Sequence, residues 1–348
     1  MAEAIFAIPG DIRSPTGGYA YDRRVIELLP AFGVNVSHLA LAAEFPNPCP
    51  GDVAGVIELI GETPEDATVL FDGLAYGALP EDSLELFGRR IIALVHHPLY
   101  LETGLPHARK VELKITEAAA LARADHVVVT SRATARILRD ELGVDRDKIT
   151  VAEPGTDPAQ RATGTGAPLH ILAVGAVSPR KNYESLIDAL SPLKDIDWKL
   201  TIAGALDRHP GSVESLREHI SQEGLSERVT LAGKVVPATL DRFYESTDLF
   251  VSSSLFEGYG MVIAEAMARG LPIVTTTGGA AGDAAHSSAA LHVQPGNAAD
   301  MSAALRRALS DKRLRDKLAD ASWEIGRTLP TWHETARRIA AVILGLKA

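Results

Sequence analysis

One cysteine, Cys49, is all that 348 residues contain, so no internal disulfide can form and no thiolate cage for zinc can be assembled. A reducing, cytoplasmic setting is the expectation. Long apolar runs are missing as well: no segment approaches the roughly 18 apolar residues of a membrane-spanning helix. The first residues, Met1 to Asp11, lack a basic start followed by an apolar stretch, which argues against an export signal. Positive charge is also short. The net charge is −10, with 14 Lys and Arg against 24 Asp and Glu in residues 1–160 and 21 of each in the remainder. Nucleic acid is therefore not an expected partner. H-E-x-x-H, G-x-S-x-G and G-x-x-x-x-G-K-[ST] do not occur, and neither glycine loop reads G-x-G-x-x-G, which disfavours a nicotinamide cofactor.

What is present points to a packed enzyme-sized fold. The length is about twice that of a typical domain, and 46% apolar and 23% charged residues are ordinary for a globular chain. Short apolar runs alternate with helical patterns. Ala4 to Ile8, Val34 to Leu39, Thr68 to Phe71, Ile91 to Val95, His126 to Val129 and Ile149 to Val151 read as buried strands. Tyr19 to Leu29, Arg109 to Arg123 and Arg132 to Leu142 read as helices between them. A Pro- and Gly-rich stretch from Pro154 to Gly166 looks like a linker. The rhythm then restarts with strands at Leu169 to Val174, Lys199 to Ala203, Val229 to Leu231, Leu249 to Val251, Pro272 to Thr275 and Ala290 to Val293. The expected division is residues 1–155, residues 156–330, and a closing amphipathic helix within 331–348. Both domains should be doubly wound α/β sheets. The basic stretch from Arg109 to Arg139 reads as solvated helix faces, with peripheral contact to a membrane as the alternative.

Ligands of open α/β sheets bind beyond the carboxyl ends of the strands, so the loops there are where chemistry is sought. In Glu257-Gly258-Tyr259-Gly260 the glycines permit close backbone approach. The helix from Met261 and Val262 onward offers free N–H groups and the positive end of its dipole. Glu265, about a turn further in, is a carboxylate on an otherwise apolar helix and needs partners. Ligand hydroxyls on one side, or backbone amides and an arginine on the other, would serve equally. In the loop that begins at Gly175, Arg180 and Lys181 stand just before a helix starting at Tyr183, a natural clamp for a diphosphate. Thr275 to Asp283 runs from a strand into glycines, a cradle for phosphate or sugar or else a flexible turn. Pro9 to Gly18, with Gly17 and Gly18 at its end, leads from the first strand into a helix. His96 and His97 follow the strand Ile91 to Val95, and which of the two points inward is open. Asp195-Ile196-Asp197 and Asp145-Arg146-Asp147 have the spacing of a divalent metal motif but lie in polar connections, so they read as surface.

The run EGYGMVIAEAMARGLPIV, residues 257–274, with seven residues between Glu257 and Glu265, resembles the signature of retaining glycosyltransferases of family four. The resemblance covers most of the C-terminal domain closely and the N-terminal domain more loosely. It implies the GT-B fold, two Rossmann-like domains facing a cleft, with the last helix crossing back onto the first domain. It implies transfer of a sugar from a nucleotide diphosphate sugar to an acceptor hydroxyl with retention, without a metal ion and without a cofactor beyond the donor. Glu257 would contact the sugar, Glu265 the ribose, Arg180 and Lys181 the diphosphate, and His96 or His97 the sugar near its reacting carbon. Gly17, Gly18, Gly175, Gly258, Tyr259, Gly260, Met261 and Val262 would line the donor site. The acceptor, a sugar, glycan or lipid-linked molecule, would be selected by the N-terminal domain, whose negative charge disfavours a strongly anionic surface. This chain departs from the pattern at Ala176, where many relatives have an arginine, and at Asp283, where they have a glutamate. A nucleotide-sugar epimerase, another GT-B enzyme such as a phosphorylase, and a non-catalytic nucleotide-sugar binder are the competing readings.

Overall fold

Alternating apolar runs and helices build two parallel sheets. The computed structural model describes residues 2–346. The chain divides into two compact units, residues 1–155 with 330–348, and residues 156–329. In the first unit β1 (Ala2–Pro9), β2 (Val34–Leu41), β3 (Thr68–Asp72), β4 (Arg90–Val95), β5 (His126–Val129) and β6 (Ile149–Val151) form one sheet in the order β2-β1-β3-β4-β5-β6, every pair parallel. In the second, β7 (Leu169–Val174), β8 (Trp198–Ala203), β9 (Val229–Gly233), β10 (Leu249–Ser252), β11 (Ile273–Thr276) and β12 (Ala290–Val293) are ordered β12-β11-β10-β7-β8-β9, again all parallel. Each unit is a Rossmann-like doubly wound domain.

Both faces of each sheet are covered, which is why the strands read as near-continuous apolar runs. The alternation survives in where the side chains go. Ile171, Ala173, Leu249, Val251 and Val274 enter one core of the second unit, while Leu172, Phe250 and Ile273 enter the core on the opposite face. The strand order places a switch point between β1 and β3 in the first unit and between β7 and β10 in the second. Those are the crevices in which such sheets hold ligands.

The helix Trp332–Ile343 belongs to the first unit. Trp332 meets Tyr21 edge-on at 5.8 Å, Thr335 donates to the carbonyl of Glu153, and Arg90 donates to the carbonyls of Val342 and Ile343. Gly155 lies so close to this helix that a Cβ there would sit 2.2 Å from the Trp332 nitrogen. Several basic residues between Arg109 and Arg139 are engaged by acids on the same unit: Arg109 by Glu112, Lys114 by Glu141, Arg123 by Glu81 and Glu85, Arg132 by Glu153, and Arg139 by Asp140. Asp195 pairs with Arg306 and Asp145 caps its own turn; both lie exposed. Among the described residues no helix is long and apolar enough to cross a membrane.

Glu117, on the helix His107–Arg123, is a polar residue inside the first core. Its Oε2 accepts the Leu99 N–H at 2.9 Å, while Oε1 is buried with no hydrogen-bond partner among the described residues. Burial pushes its carboxyl up to about 8, against the lowering effect of the Leu99 hydrogen bond. The folded chain therefore holds a proton that the unfolded chain releases above its ordinary value of 4.5, so stability falls as pH rises from 4.5 toward 8. Glu117→Gln removes the titration. Urea unfolding of both proteins at the two ends of that window should show the wild type losing on the order of 3 to 5 kcal/mol relative to the variant. Parallel pH dependence of the two would rule out a protonated Glu117.

Candidate functional site

The second unit concentrates its polar chemistry at the β7/β10 switch point. After β7 the chain reverses at Gly175, whose φ of +148° and whose closeness to Lys181 exclude a side chain: a Cβ would lie 2.5 Å from Lys181 Cε. A short turn, Pro179–Lys181, ends on Asn182 in the left-handed region (φ 49°) and leads into the helix Tyr183–Leu190. This geometry aims Arg180 and Lys181 at the loop after β10. Lys181 Nζ lies 2.6 Å from Glu257 Oε1, Arg180 Nη1 lies 3.2 Å from Glu257 Oε2 and also donates to the Phe256 carbonyl, and Ser254 Oγ donates to Glu257 Oε1 at 2.6 Å. Burial would raise the Glu257 carboxyl, but the charges of Lys181 and Arg180 and the hydrogen bonds of Lys181 and Ser254 hold it at about 2. Two cations thus converge on one buried carboxylate. Arg180 keeps 27% of its side chain exposed, against 11% for Lys181.

The loop bearing Glu257 is clamped from the other side by Gly278 and Gly279. A Cβ on Gly278 would stand 2.1 Å from the Leu255 carbonyl oxygen, and one on Gly279 would stand 2.3 Å from that of Glu257. Glu257 N–H donates to the Gly278 carbonyl and Ala280 N–H to that of Glu257. These glycines thus form a tight backbone seam rather than a flexible turn, and the Ala280 amide is spent within it. Asp283 falls on the short helix Ala281–Ala284 that follows.

Gly260, at φ +98°, turns the chain into the helix Met261–Ala268. Ile263 and Ala264 donate back to the Gly260 carbonyl, and the amides of Met261 and Val262 donate to nothing among the described residues. Gly258 and Tyr259, just before, are half-buried. One turn along, Glu265 Oε2 accepts from the hydroxyl of the buried Tyr244 at 2.9 Å, and Arg269 packs over the Tyr244 ring while pairing with Asp241. The Glu265 carboxylate therefore has a tyrosine as its hydrogen-bond partner and, among the described residues, neither a backbone amide nor an arginine. Burial raises the Glu265 carboxyl, with the Tyr244 bond and the Arg269 charge opposing.

In the first unit, Thr16 caps the helix Gly17–Leu28, so it begins two residues before the expected Tyr19, with Gly17 and Gly18 in its first turn. His96 lies against that turn: a Cβ on Gly18 would stand 3.4 Å from His96 Cδ2. His96 Nε2 is 3.1 Å from Asp22 Oδ1, whereas His97 Nε2 is 3.3 Å from Glu102. Of the two histidines, His96 is the one at the β1/β3 switch point, beside Gly18 and the end of β3.

The residues singled out from sequence therefore form two groups. Arg180, Lys181 and Glu257 share one ion cluster, with Gly175 against Lys181, Gly258 to Val262 continuing the Glu257 loop into the next helix, and Glu265 one turn along bonded to Tyr244. Gly17, Gly18 and His96 share the other, with His97 turned to Glu102. Sequence reading missed Ser254, Tyr244, Asp22 and Asp72. Asp22 could have been found from the helical stripe it shares with Tyr21 and Val25, and Asp72 from its position at the carboxyl end of β3.

Residues 160–324 match the model of glycosyl transferases group 1, and residues 68–160 match that of glycosyltransferase family 4. Among curated relatives, the mannosylfructose-phosphate synthase of Agrobacterium fabrum is 29% identical over 241 residues, 64% of this chain and 53% of that protein. The D-inositol 3-phosphate glycosyltransferase of Nocardia farcinica is 31% identical over 224 residues, 59% of this chain and 49% of the relative. The chain thus spans about half the length of the curated relatives it matches. Solved structures share the fold from end to end. Sucrose-phosphate synthase from Thermosynechococcus elongatus superposes with a TM-score of 0.82 at 18% identity, covering 99% of each chain. Anabaena Alr3699/HepE in complex with UDP-glucose superposes with a TM-score of 0.76 at 18% identity, covering 99% of this chain and 100% of that one.

Proposed function

We propose that this chain is a glycosyltransferase that moves a sugar from a nucleotide diphosphate sugar to an acceptor hydroxyl, with retention of configuration and without a metal ion. The observation that carries the reading is the convergence of Arg180 and Lys181 on Glu257 at the β7/β10 switch point, with the open amides of Met261 and Val262 at the start of the helix that follows. In the transfer, the bond from the sugar's anomeric carbon to the diphosphate breaks with its electron pair on the phosphate oxygen. Arg180, Lys181 and the helix end offset that charge as it develops, a preorganised electrostatic role that a divalent ion would otherwise fill. The acceptor oxygen bonds the anomeric carbon and gives up its proton to the departing phosphate oxygen. No side chain is assigned as a covalent nucleophile. Glu265, its carboxylate oriented by Tyr244, holds the ribose hydroxyls.

The matches to two glycosyltransferase models support the class, and the UDP-glucose complex of a protein with the same fold supports the type of donor. The relatives named for mannosylfructose phosphate and D-inositol 3-phosphate make phosphorylated sugars and inositols the first acceptors to try, despite the negative charge of residues 1–160. The test is a panel of nucleotide sugars, beginning with UDP-glucose, with and without such acceptors and with and without a chelator, followed by nucleotide diphosphate release. Release that requires an acceptor and ignores the chelator is expected, with the product's anomeric configuration read by NMR. Binding of a donor with no turnover across the panel would leave a nucleotide-sugar binder in place of a transferase.

A further inference from the structure

The first unit buries two carboxyls beside one histidine. Asp22, on the helix Gly17–Leu28, is wholly buried; its Oδ1 lies 3.1 Å from His96 Nε2, and its Oδ2 has no hydrogen-bond partner among the described residues. Asp72 ends β3, is 3% exposed, and accepts the Leu74 N–H at 2.7 Å. One ligand-type atom from each of Asp22, Asp72 and His96 falls within 4.8 Å of the others. Tyr21 is edge-on to the imidazole at 5.3 Å, with its hydroxyl donating to the Ala152 carbonyl. Thr130 donates to the His96 carbonyl from the end of β5, and Gly18 brings no side chain at all.

Two carboxylates cannot both stay ionised in such a place without matching positive charge. Burial and the charge of Asp22 push the Asp72 carboxyl up to about 7. Burial alone would lower His96, but the charge and hydrogen bond of Asp22 and the charge of Asp72 override it and lift the ring to about 9. The three groups titrate as one system in which the imidazole keeps its second proton. Since Nε2 is directed at Asp22, that second proton sits on Nδ1, which makes no hydrogen bond among the described residues, on a ring that retains 21% of its surface.

We propose that Asp22 is a positioning residue for His96: it holds the ring by Nε2 and keeps it a cation, so that Nδ1–H is a standing donor to a hydroxyl oxygen of a sugar ligand at the β1/β3 crevice. The role rests on the transferase reading above.

The primary experiment needs no substrate. NMR of the full chain with labelled histidine follows the His96 ring through a pH titration, in the wild type, in Asp22→Asn and in Asp72→Asn. The wild-type ring should titrate well above the ordinary 6.5, and Asp22→Asn should bring it to that value or below. Asp72→Asn, which imitates the protonated carboxyl, should leave the ring charged at neutral pH. Once a donor is known, Asp22→Asn should lower kcat by about a hundredfold through misorientation of the ring. Asp72→Asn should remain active and lose an inflection near pH 7 from its rate profile. A wild-type ring that titrates at its ordinary value overturns the proposal, even if Asp22→Asn does not fold. So does an unchanged titration in a folded Asp22→Asn protein, or one equivalent of tightly bound metal that this variant loses. Failure to find a donor leaves the NMR result standing, so the two readings fail separately.

Discussion

Lys181→Ala is expected to lower the unfolding free energy of the unit formed by residues 156–329 by about 3–5 kcal/mol, because it removes the nearer partner of a buried carboxylate. Glu257 is 7% exposed, and its charge is held by Lys181 at 2.6 Å and Arg180 at 3.2 Å. With the ammonium gone, Glu257 must either stay charged with only Arg180 and the Ser254 hydroxyl as partners or take up a proton. The urea midpoint measures the effect, and a midpoint equal to wild type would remove the ion pair from any account of stability. The companion protein Lys181→Ala/Glu257→Gln should lose less than the sum of its single changes, since the orphaned charge is absent; couplings of roughly 0.5–3 kcal/mol are typical of such neighbours. It is also the better probe of donor binding. Replacing both cations with alanine would weaken binding and folding together, whereas the charge-balanced pair separates the two.

The same cluster sets a direction for acid sensitivity. The folded Glu257 carboxyl lies at about 2, below its ordinary 4.5, so its stabilising contribution is complete above 4.5 and is lost as pH falls through 2. This is opposite in sign to Glu117, whose contribution declines as pH rises. The second unit's cluster therefore loses stability as pH falls from 4.5 toward 2, and the first unit's core loses it as pH rises from 4.5 toward 8.

Gly278→Ala is the second large expectation. A methyl group there meets the Leu255 carbonyl oxygen at 2.1 Å, a backbone atom that cannot rotate out of the way. Leu255 is in turn tied by its N–H to the Arg180 carbonyl, and the Ser254 carbonyl accepts from Thr276. The displacement would therefore pass directly to both halves of the ion cluster. Overpacking of this kind costs about 1–3 kcal/mol and sometimes more, and donor affinity should fall with it. Gly282→Ala is the control: its new atom would meet Thr277 side-chain atoms at 3.4 Å, an ordinary contact, and both stability and donor affinity should hold. Equal behaviour of the two variants would show that the seam between residues 255–257 and 278–280 yields.

All the strands expected from apolar runs exist, most with ends shifted by one or two residues, because a strand buried on both faces announces itself by composition alone. The helix at Gly17 begins earlier than its apolar pattern suggests, since Thr16 supplies the cap and the glycines of the first turn carry no periodic signal. Arg180, Lys181 and Glu257 were legible as separate features. That they share one cluster was not, because the contact joins residues 76 and 77 positions apart across the switch point. Asp22 and Glu117 were hidden for a different reason. A lone carboxylate on a helix rich in arginine or lysine looks like part of a solvated face, and only packing shows that each points inward.

The route of the chain through the first unit has a consequence for gene structure. Gly155 abuts Trp332, so the place where the chain leaves this unit and the place where it returns are neighbours. Residues 156–329 are thus an insertion within a domain that is complete only after the ribosome has passed Ile343. A premature stop near residue 330 would spare every residue of the Glu257 cluster yet strip Tyr21 and Arg90 of their partners on the last helix. Damage from such a truncation would surface far away in sequence, in the helix that carries Asp22.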